Sequence, residues 1–124
     1  MIEFEVFGRP APQGSKTIMR GRLVETSKYL PAWRKALAEA ATEAHAETGF
    51  YSSQPLSVSV IFTLAKPKTV KREEPTVPPD LDKLARSLDS LTGILYDDDA
   101  QIVKMHLRKQ YGEPQGAVIK IEEL

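Results

Sequence analysis

Apolar and charged residues alternate along Ile2-Glu3-Phe4-Glu5-Val6-Phe7, the period of a half-buried strand. The stretch Gly8-Arg9-Pro10-Ala11-Pro12-Gln13-Gly14-Ser15-Lys16 breaks that period and reads as an ordered loop. A loose hairpin around Gly21 is expected before Thr26. From Ser27 onward, Leu30, Trp33, Leu37, Ala40, Ala41 and Ala44 recur at helical spacing. Pro31 suits the first turn of that helix and Gly49 its C-terminal cap. Residues 56–64, Leu-Ser-Val-Ser-Val-Ile-Phe-Thr-Leu, form a second β-branched alternating run. Residues 66–79 hold four prolines and both charge signs without period, the composition of a mobile loop. A second helix is predicted over 81–91, with Asp80 as N-cap and Gly93 just past its end. Residues 101–110 and 117–122 read as strands joined by a turn at 112–116. The order β, α, β, α, β, β predicts an α/β (α+β) fold: a small mixed sheet of three to five strands with both helices packed on it. With no repeat or linker, residues 1–124 are expected to form a single domain.

Composition narrows the chemistry. Hydrophobic residues make up 41% and charged residues 27%, ordinary for a water-soluble domain. There is no cysteine, which excludes disulfides, thiolate metal sites and cysteine nucleophiles. No apolar run approaches the roughly 20 residues that span a bilayer. The N-terminus lacks the basic start and apolar stretch of a signal peptide, so a cytoplasmic location is expected. Formal net charge is zero, yet Lys and Arg cluster at 9–22, 66–72 and 104–109. That distribution allows basic patches around an acidic pocket.

The acidic pocket has a sequence signature. Pro79-Asp80-Leu81-Asp82 and Asp97-Asp98-Asp99 flank one short amphipathic segment and together carry five carboxylates. Like charges repel and lose hydration when gathered, and a divalent cation is the simplest compensation. Oxygen-only ligands select hard ions such as Mg²⁺ or Mn²⁺. On a helical wheel Leu81, Leu84, Leu88 and Leu91 share one side, while Asp82, Arg86 and Asp89 share the other. Solvated helix charge and a plain acidic turn explain the same residues without any metal. The cluster is no EF-hand: counted from Asp97, position six is Ile102 and position twelve Arg108. His45 and His106 are too far apart for a zinc helix, and neither a G-x-S-x-G elbow nor a phosphate-binding Gly loop is present. His45 fits a surface or capping role near a helix end. His106 alternates with Lys104 and Arg108 on one strand face, which suits either phosphate contact or the wet side of a sheet.

Residues 79–86, Pro-Asp-Leu-Asp-Lys-Leu-Ala-Arg, followed by Asp89-Ser90-Leu91-Thr92-Gly93 and Asp98-Asp99-Ala100-Gln101-Ile102, resemble the RusA family of Holliday-junction resolvases. Pro10-Ala11-Pro12-Gln13-Gly14-Ser15-Lys16 and Trp33-Arg34 resemble phage and prophage members of that family. The resemblance implies a homodimeric, Mg²⁺-dependent endodeoxyribonuclease, with Mn²⁺ as a substitute ion, that cuts four-way DNA by paired symmetric nicks. It assigns metal binding and catalysis to Asp80, Asp82 and Asp99, with Arg86 where the family has lysine. Lys83, where the family has asparagine, Asp98 and Asp89 take supporting roles, and Asp89 follows Arg86 one residue sooner than is usual. DNA contacts are expected at Lys16, Lys66, Lys68, Lys71, Arg72, Lys104 and Arg108, the proline-rich loop reaching toward the branch point. Neither a membrane nor an organic cofactor is implied. A non-catalytic junction-binding protein, or a carboxylate-metal nuclease acting on other branched DNA, would carry the same residues.

Overall fold

Three of the long strands each bury one apolar face, and the stacking of those faces on a helix defines the fold. The computed structural model describes residues 1–14, 16–25 and 27–124, with 16–19 and 22–25 described through their backbone alone. In chain order the elements are β1 (Ile2–Phe7), the hairpin β2 (Lys16–Met19) and β3 (Arg22–Glu25), α1 (Leu30–Thr48), β4 (Leu56–Leu64), α2 (Leu81–Arg86), β5 (Ile102–Tyr111) and β6 (Gly116–Glu123). Two 3₁₀ turns, Ser87–Leu91 and Asp99–Gln101, follow α2 and precede β5. The main sheet runs β1-β6-β4-β5. Its first three strands are antiparallel, whereas β4 and β5 are parallel. The fold is α+β, a four-stranded mixed sheet with two helices, as expected, and the hairpin at Gly21 forms a separate two-stranded sheet.

Alternation along β4 buries Leu56, Val58, Val60, Phe62 and Leu64 and leaves Ser57, Ser59 and Thr63 half-buried on the other face. Ile119 and Ile121 of β6 and Ile2 and Val6 of β1 continue the same layer. Leu30, Trp33, Leu37, Ala41 and Ala44 of α1 cover it, and all belong to one core cluster with Leu84, Leu88 and Leu91. Each large apolar side chain removed from water there contributes about 1.5–3 kcal/mol. Gly49 ends α1 in the left-handed conformation, donating its N–H to the His45 carbonyl at 2.7 Å. His45 is a fixture of that end: its Nδ1 donates to the Phe50 carbonyl at 2.8 Å. Gly116 starts β6 at φ +156°, where a Cβ would run into the Val6 carbonyl of the neighbouring strand.

Parallel neighbours cannot be joined by a tight turn. The connection from β4 to β5 therefore carries the proline-rich loop, α2 and both 3₁₀ turns, and every acidic residue of interest. The helix predicted over 81–91 stops at Arg86 and tightens into the 3₁₀ turn Ser87–Leu91. Ser87 explains the change. Its buried hydroxyl donates back to the Leu84 carbonyl at 2.7 Å and accepts the Trp33 indole N–H at 3.0 Å. Such local hydroxyl-to-backbone bonds compete with the regular helix ladder. The loop over 66–79 is irregular as expected, but it is anchored. Lys109 Nζ donates to the carbonyls of Val77 and Pro79, both at 2.9 Å, and Arg108 pairs with Glu74 at 3.1 Å. Among the described residues no helix is long and apolar enough to cross a membrane.

Ser87→Ala removes the acceptor of a buried indole N–H and is expected to destabilise the fold by about 1–3 kcal/mol. A urea melt would show the lowered midpoint, and Ser90→Ala, which removes only a hydroxyl bonded to the Ser87 carbonyl, would move it less. Lys109→Met removes two bonds from a charged donor, worth about 1.5–3 kcal/mol, so opening of the loop should become about ten- to a hundredfold more frequent. Limited trypsin digestion at Lys68, Lys71 and Arg72, ahead of global unfolding, measures that.

Candidate active site

Two aspartates occupy helix N-cap positions, and they behave differently. Asp98 caps the turn Asp99–Gln101: its Oδ1 accepts the Ala100 N–H at 2.8 Å, while Gln101 Oε1 accepts the Asp98 N–H at 2.8 Å. Gln101 Nε2 also donates to the carbonyls of Ser52 (3.0 Å) and Gln54 (2.9 Å). The Asp98-Asp99-Ala100-Gln101 run is thus a capping box tied to a neighbouring segment, and it holds Asp99 at the entrance to β5. Asp80 stands at the N-cap of α2, yet its carboxylate makes no capping bond. It leans instead on Lys83 Nζ at 3.7 Å. Asp82, in the first turn, pairs with Arg86 at 3.6 Å, as the wheel predicts for residues four apart.

Asp97 is committed to structure. Its carboxylate accepts the Tyr51 hydroxyl at 2.5 Å, and its pKa is lowered by hydrogen bonds from Ser53 first and Tyr51 second. The same bond raises the Tyr51 pKa. Of the acidic run, Asp99 is the one that faces a cleft. That cleft, about 360 Å³, is lined by Arg86, Asp89, Tyr96, Asp99, Lys104 and Met105 among others. Asp99 accepts the Thr92 hydroxyl and lies 3.5 Å from the Tyr96 hydroxyl. Burial pushes the Tyr96 pKa well above that of free tyrosine, so the phenol remains a proton donor across the physiological range.

Asp89 lines the cleft but its carboxylate is claimed from behind. Arg34 Nη1 donates to one oxygen and Gln13 Nε2 to the other at 3.3 Å, and the same Arg34 nitrogen also donates to Gln13 Oε1 at 2.6 Å. Gln13 further donates its N–H to the Lys83 carbonyl at 3.0 Å. The N-terminal loop is therefore laced to α2, and it brings Gly14 (φ +95°) against the Arg86 guanidinium, where a Cβ would collide. Gln13, Gly14, Arg34 and Lys109 were not singled out as site residues by periodicity. The signal for the first three is the Pro-Ala-Pro-Gln-Gly-Ser-Lys run and the Trp33-Arg34 pair, which align with a family pattern without revealing why; Lys109 carries no such signal.

The structure brings Arg86, Asp89, Asp99 and Lys104 to one cleft, with Asp82 attached through Arg86. Asp80 and Lys83 form a pair of their own at the head of α2. Lys66, Lys68 and Lys71 are exposed on the proline-rich loop. Arg72 donates to the Tyr111 hydroxyl at 3.1 Å, and Arg108 is occupied by Glu74. The side chain of Lys16 lies outside the described residues. Among the described residues no three Asp, Glu or His side chains stand close enough together to hold a metal ion. The donor chemistry nevertheless suits a hard divalent cation: the oxygens are carboxylate, and the Asp80 and Asp82 side chains are 55% and 71% exposed. Exposed ion pairs of this length contribute little, so either carboxylate can turn from its partner at small cost.

The chain is 29% identical to the uncharacterized protein YqaN of Bacillus subtilis (strain 168) over an alignment covering 99% of this chain and 96% of that protein. The family model described as endodeoxyribonuclease RusA matches residues 6–122, from β1 through β6 and across every residue of the cleft. The chain belongs to the RusA endodeoxyribonuclease family.

Proposed function

We propose that this protein is a single-domain, Mg²⁺-dependent endodeoxyribonuclease that resolves four-way DNA junctions by paired nicks and acts as a homodimer. Family membership supplies the reaction class, and the observation that carries the reading is the cleft where Asp99 and Arg86 meet with Asp82 at its rim. In this reading Asp80, Asp82 and Asp99 hold the cation through carboxylate oxygens. When bound, the cation supplies charge neutralisation and activation of water for attack on phosphorus.

The remaining tasks fall to the chain itself. Arg86, freed from Asp82 as the carboxylate turns inward, presents its guanidinium to the scissile phosphate and stabilises charge in the transition state. Guanidinium stays protonated at any working pH, so its contribution is electrostatic, where a lysine could also shuttle a proton. Lys83 is the neighbouring ammonium and takes the same part if Arg86 stays with Asp82. Lys104, on the cleft wall, and the exposed Lys66, Lys68 and Lys71 contact phosphates along the arms. Two-fold symmetry of a dimer matches the near two-fold symmetry of a four-way junction, so opposing strands meet equivalent sites.

Asp80→Asn, Asp82→Asn and Asp99→Asn are each expected to reduce nicking of a synthetic four-way junction in Mg²⁺ by about 100-fold or more while junction binding persists. Binding without nicks by the wild type would instead assign a non-catalytic junction-binding role. Nicks on flaps or single strands alone would assign a different branched substrate. Asp97→Asn, whose carboxylate is taken by Tyr51 and Ser53 and does not line the cleft, is expected to leave the nicking rate within about twofold. At Asp98 the two roles separate cleanly. Asparagine caps as well as aspartate, so Asp98→Asn keeps activity and Asp98→Ala loses about 1 kcal/mol of local stability. A rate loss in Asp98→Asn equal to that of Asp99→Asn would give Asp98 a direct part in the chemistry.

A further inference from the structure

A second cleft, of about 380 Å³, shares no lining residue with the cleft containing Asp99. Its walls include Tyr29, Tyr111, Arg9, Arg72, Pro75 and Pro79, and among the described residues no carboxylate lines it. The volume lies within the roughly 300–1,000 Å³ of small-ligand pockets. Tyr29 is 39% exposed although it is aromatic, and the Arg9 guanidinium stacks over its ring at 3.7 Å from the centroid. Arg72 Nε holds the Tyr111 hydroxyl at 3.1 Å, and Lys109 pins the Val77 and Pro79 carbonyls that form the far wall. The cleft is therefore lined mainly by apolar and aromatic residues, carries two arginines, and is braced.

We propose that this cleft receives the unstacked base of one nucleotide at the DNA branch point. The inference rests on the nuclease reading above. Aromatic rings and guanidinium planes are the surfaces on which unpaired bases stack. Arg9 covers the Tyr29 ring and Lys28 Nζ stands 5.2 Å from its centroid, so an entering base replaces a cation on the ring or stacks on the guanidinium that the ring supports. The two arginines complement the phosphates on either side of such a nucleotide, and among the described residues no carboxylate in the lining opposes them. That charge complementarity argues for a nucleotide as the occupant, and Pro79, which walls the cleft, is the residue next to Asp80 of the acidic motif. Extruding a base costs a few kcal/mol in intact duplex and least where pairing is already broken, as at a branch. The cleft thus favours branched over continuous DNA without reading sequence.

The test measures binding in EDTA, by fluorescence anisotropy, of a four-way junction, a dT₁₆ single strand and a 32-base-pair duplex. Tyr29→Ala is expected to weaken junction and single-strand binding about tenfold, as loss of one base stack does, and to leave duplex binding unchanged. Tyr29→Phe should restore it. A parallel ¹⁵N NMR titration of the wild type with thymidine 3′,5′-bisphosphate should shift the amides of Tyr29 and Tyr111. Equal losses on duplex and junction, or Tyr29→Ala binding within twofold of wild type, overturn the proposal. So do amide shifts produced by a proline-rich peptide or by self-association but not by the nucleotide. Nicking in Mg²⁺ is scored separately. A wild type that nicks junctions with no Tyr29 dependence of binding removes the base cleft alone. A wild type that never nicks, but whose single-strand binding depends on Tyr29, removes the enzyme reading and keeps the cleft.

Discussion

Three pieces of chain far apart in sequence meet at the Asp89 carboxylate: Gln13 from the N-terminal loop, Arg34 from α1, and the 3₁₀ turn itself. Beside it, the Trp33 indole reaches the buried Ser87 hydroxyl. The geometry of the acidic cleft follows from this knot. It fixes the roll of α2, which decides that Asp82 and Arg86 face outward and Leu84 inward. It also delivers Gly14 to the Arg86 guanidinium. Hydrogen bonds to charged groups contribute about 1.5–3 kcal/mol. The Arg34–Asp89 pair is more than one-third exposed, so screening reduces its share, and the buried Trp33–Ser87 bond is the firmer half. The price of the arrangement is that Asp89, which looks available in sequence, already has partners.

The cleft beneath α2 gathers Asp89 and Asp99 with Arg86 and Lys104, whereas the second cleft is lined by two arginines and, among the described residues, by no carboxylate. Lys109 reaches from β5 to hold the carbonyls of Val77 and Pro79, two residues of the second cleft. One half-buried lysine on a strand thus braces that cleft through backbone carbonyls, contacts that no pattern of side-chain types discloses.

The strands, the first helix and the acidic motif were legible because each is local. Alternation marked β1, β4 and β6, helical spacing marked α1, and Gly49 closed it as expected. What escaped depends on distant partners. The second helix was read to Leu91 because leucines continue at helical spacing, but Ser87 bonds Trp33, and the turn tightens. Val103 continues the apparent apolar alternation of Val103, Met105 and Leu107, yet it is 65% exposed, because the β4–β5 register shifts between Leu56 and Ser57. Bulges of this kind re-aim side chains beside active sites. Likewise, three consecutive aspartates look equivalent in sequence. Partners at Tyr51 and Ser53 take Asp97, the capping box takes Asp98, and only Asp99 faces the cleft.

Arg86 and Gly14 are best understood together. A guanidinium is planar and broader than an ammonium, and its chosen place lies against a backbone atom that carries no side chain. Any residue but glycine at position 14 would push it off, and φ of +95° would strain the backbone besides. The N-terminal loop thus serves as the floor on which the arginine rests while Asp82 holds its other side. If a cation draws Asp82 inward, the floor remains and the guanidinium keeps its place with one ionic partner fewer. Its charge is then available to a phosphate. In the proposed mechanism the arginine needs no proton-transfer role to replace a lysine: a guanidinium charge, steered by a glycine and released by a carboxylate, would do the electrostatic part of the work.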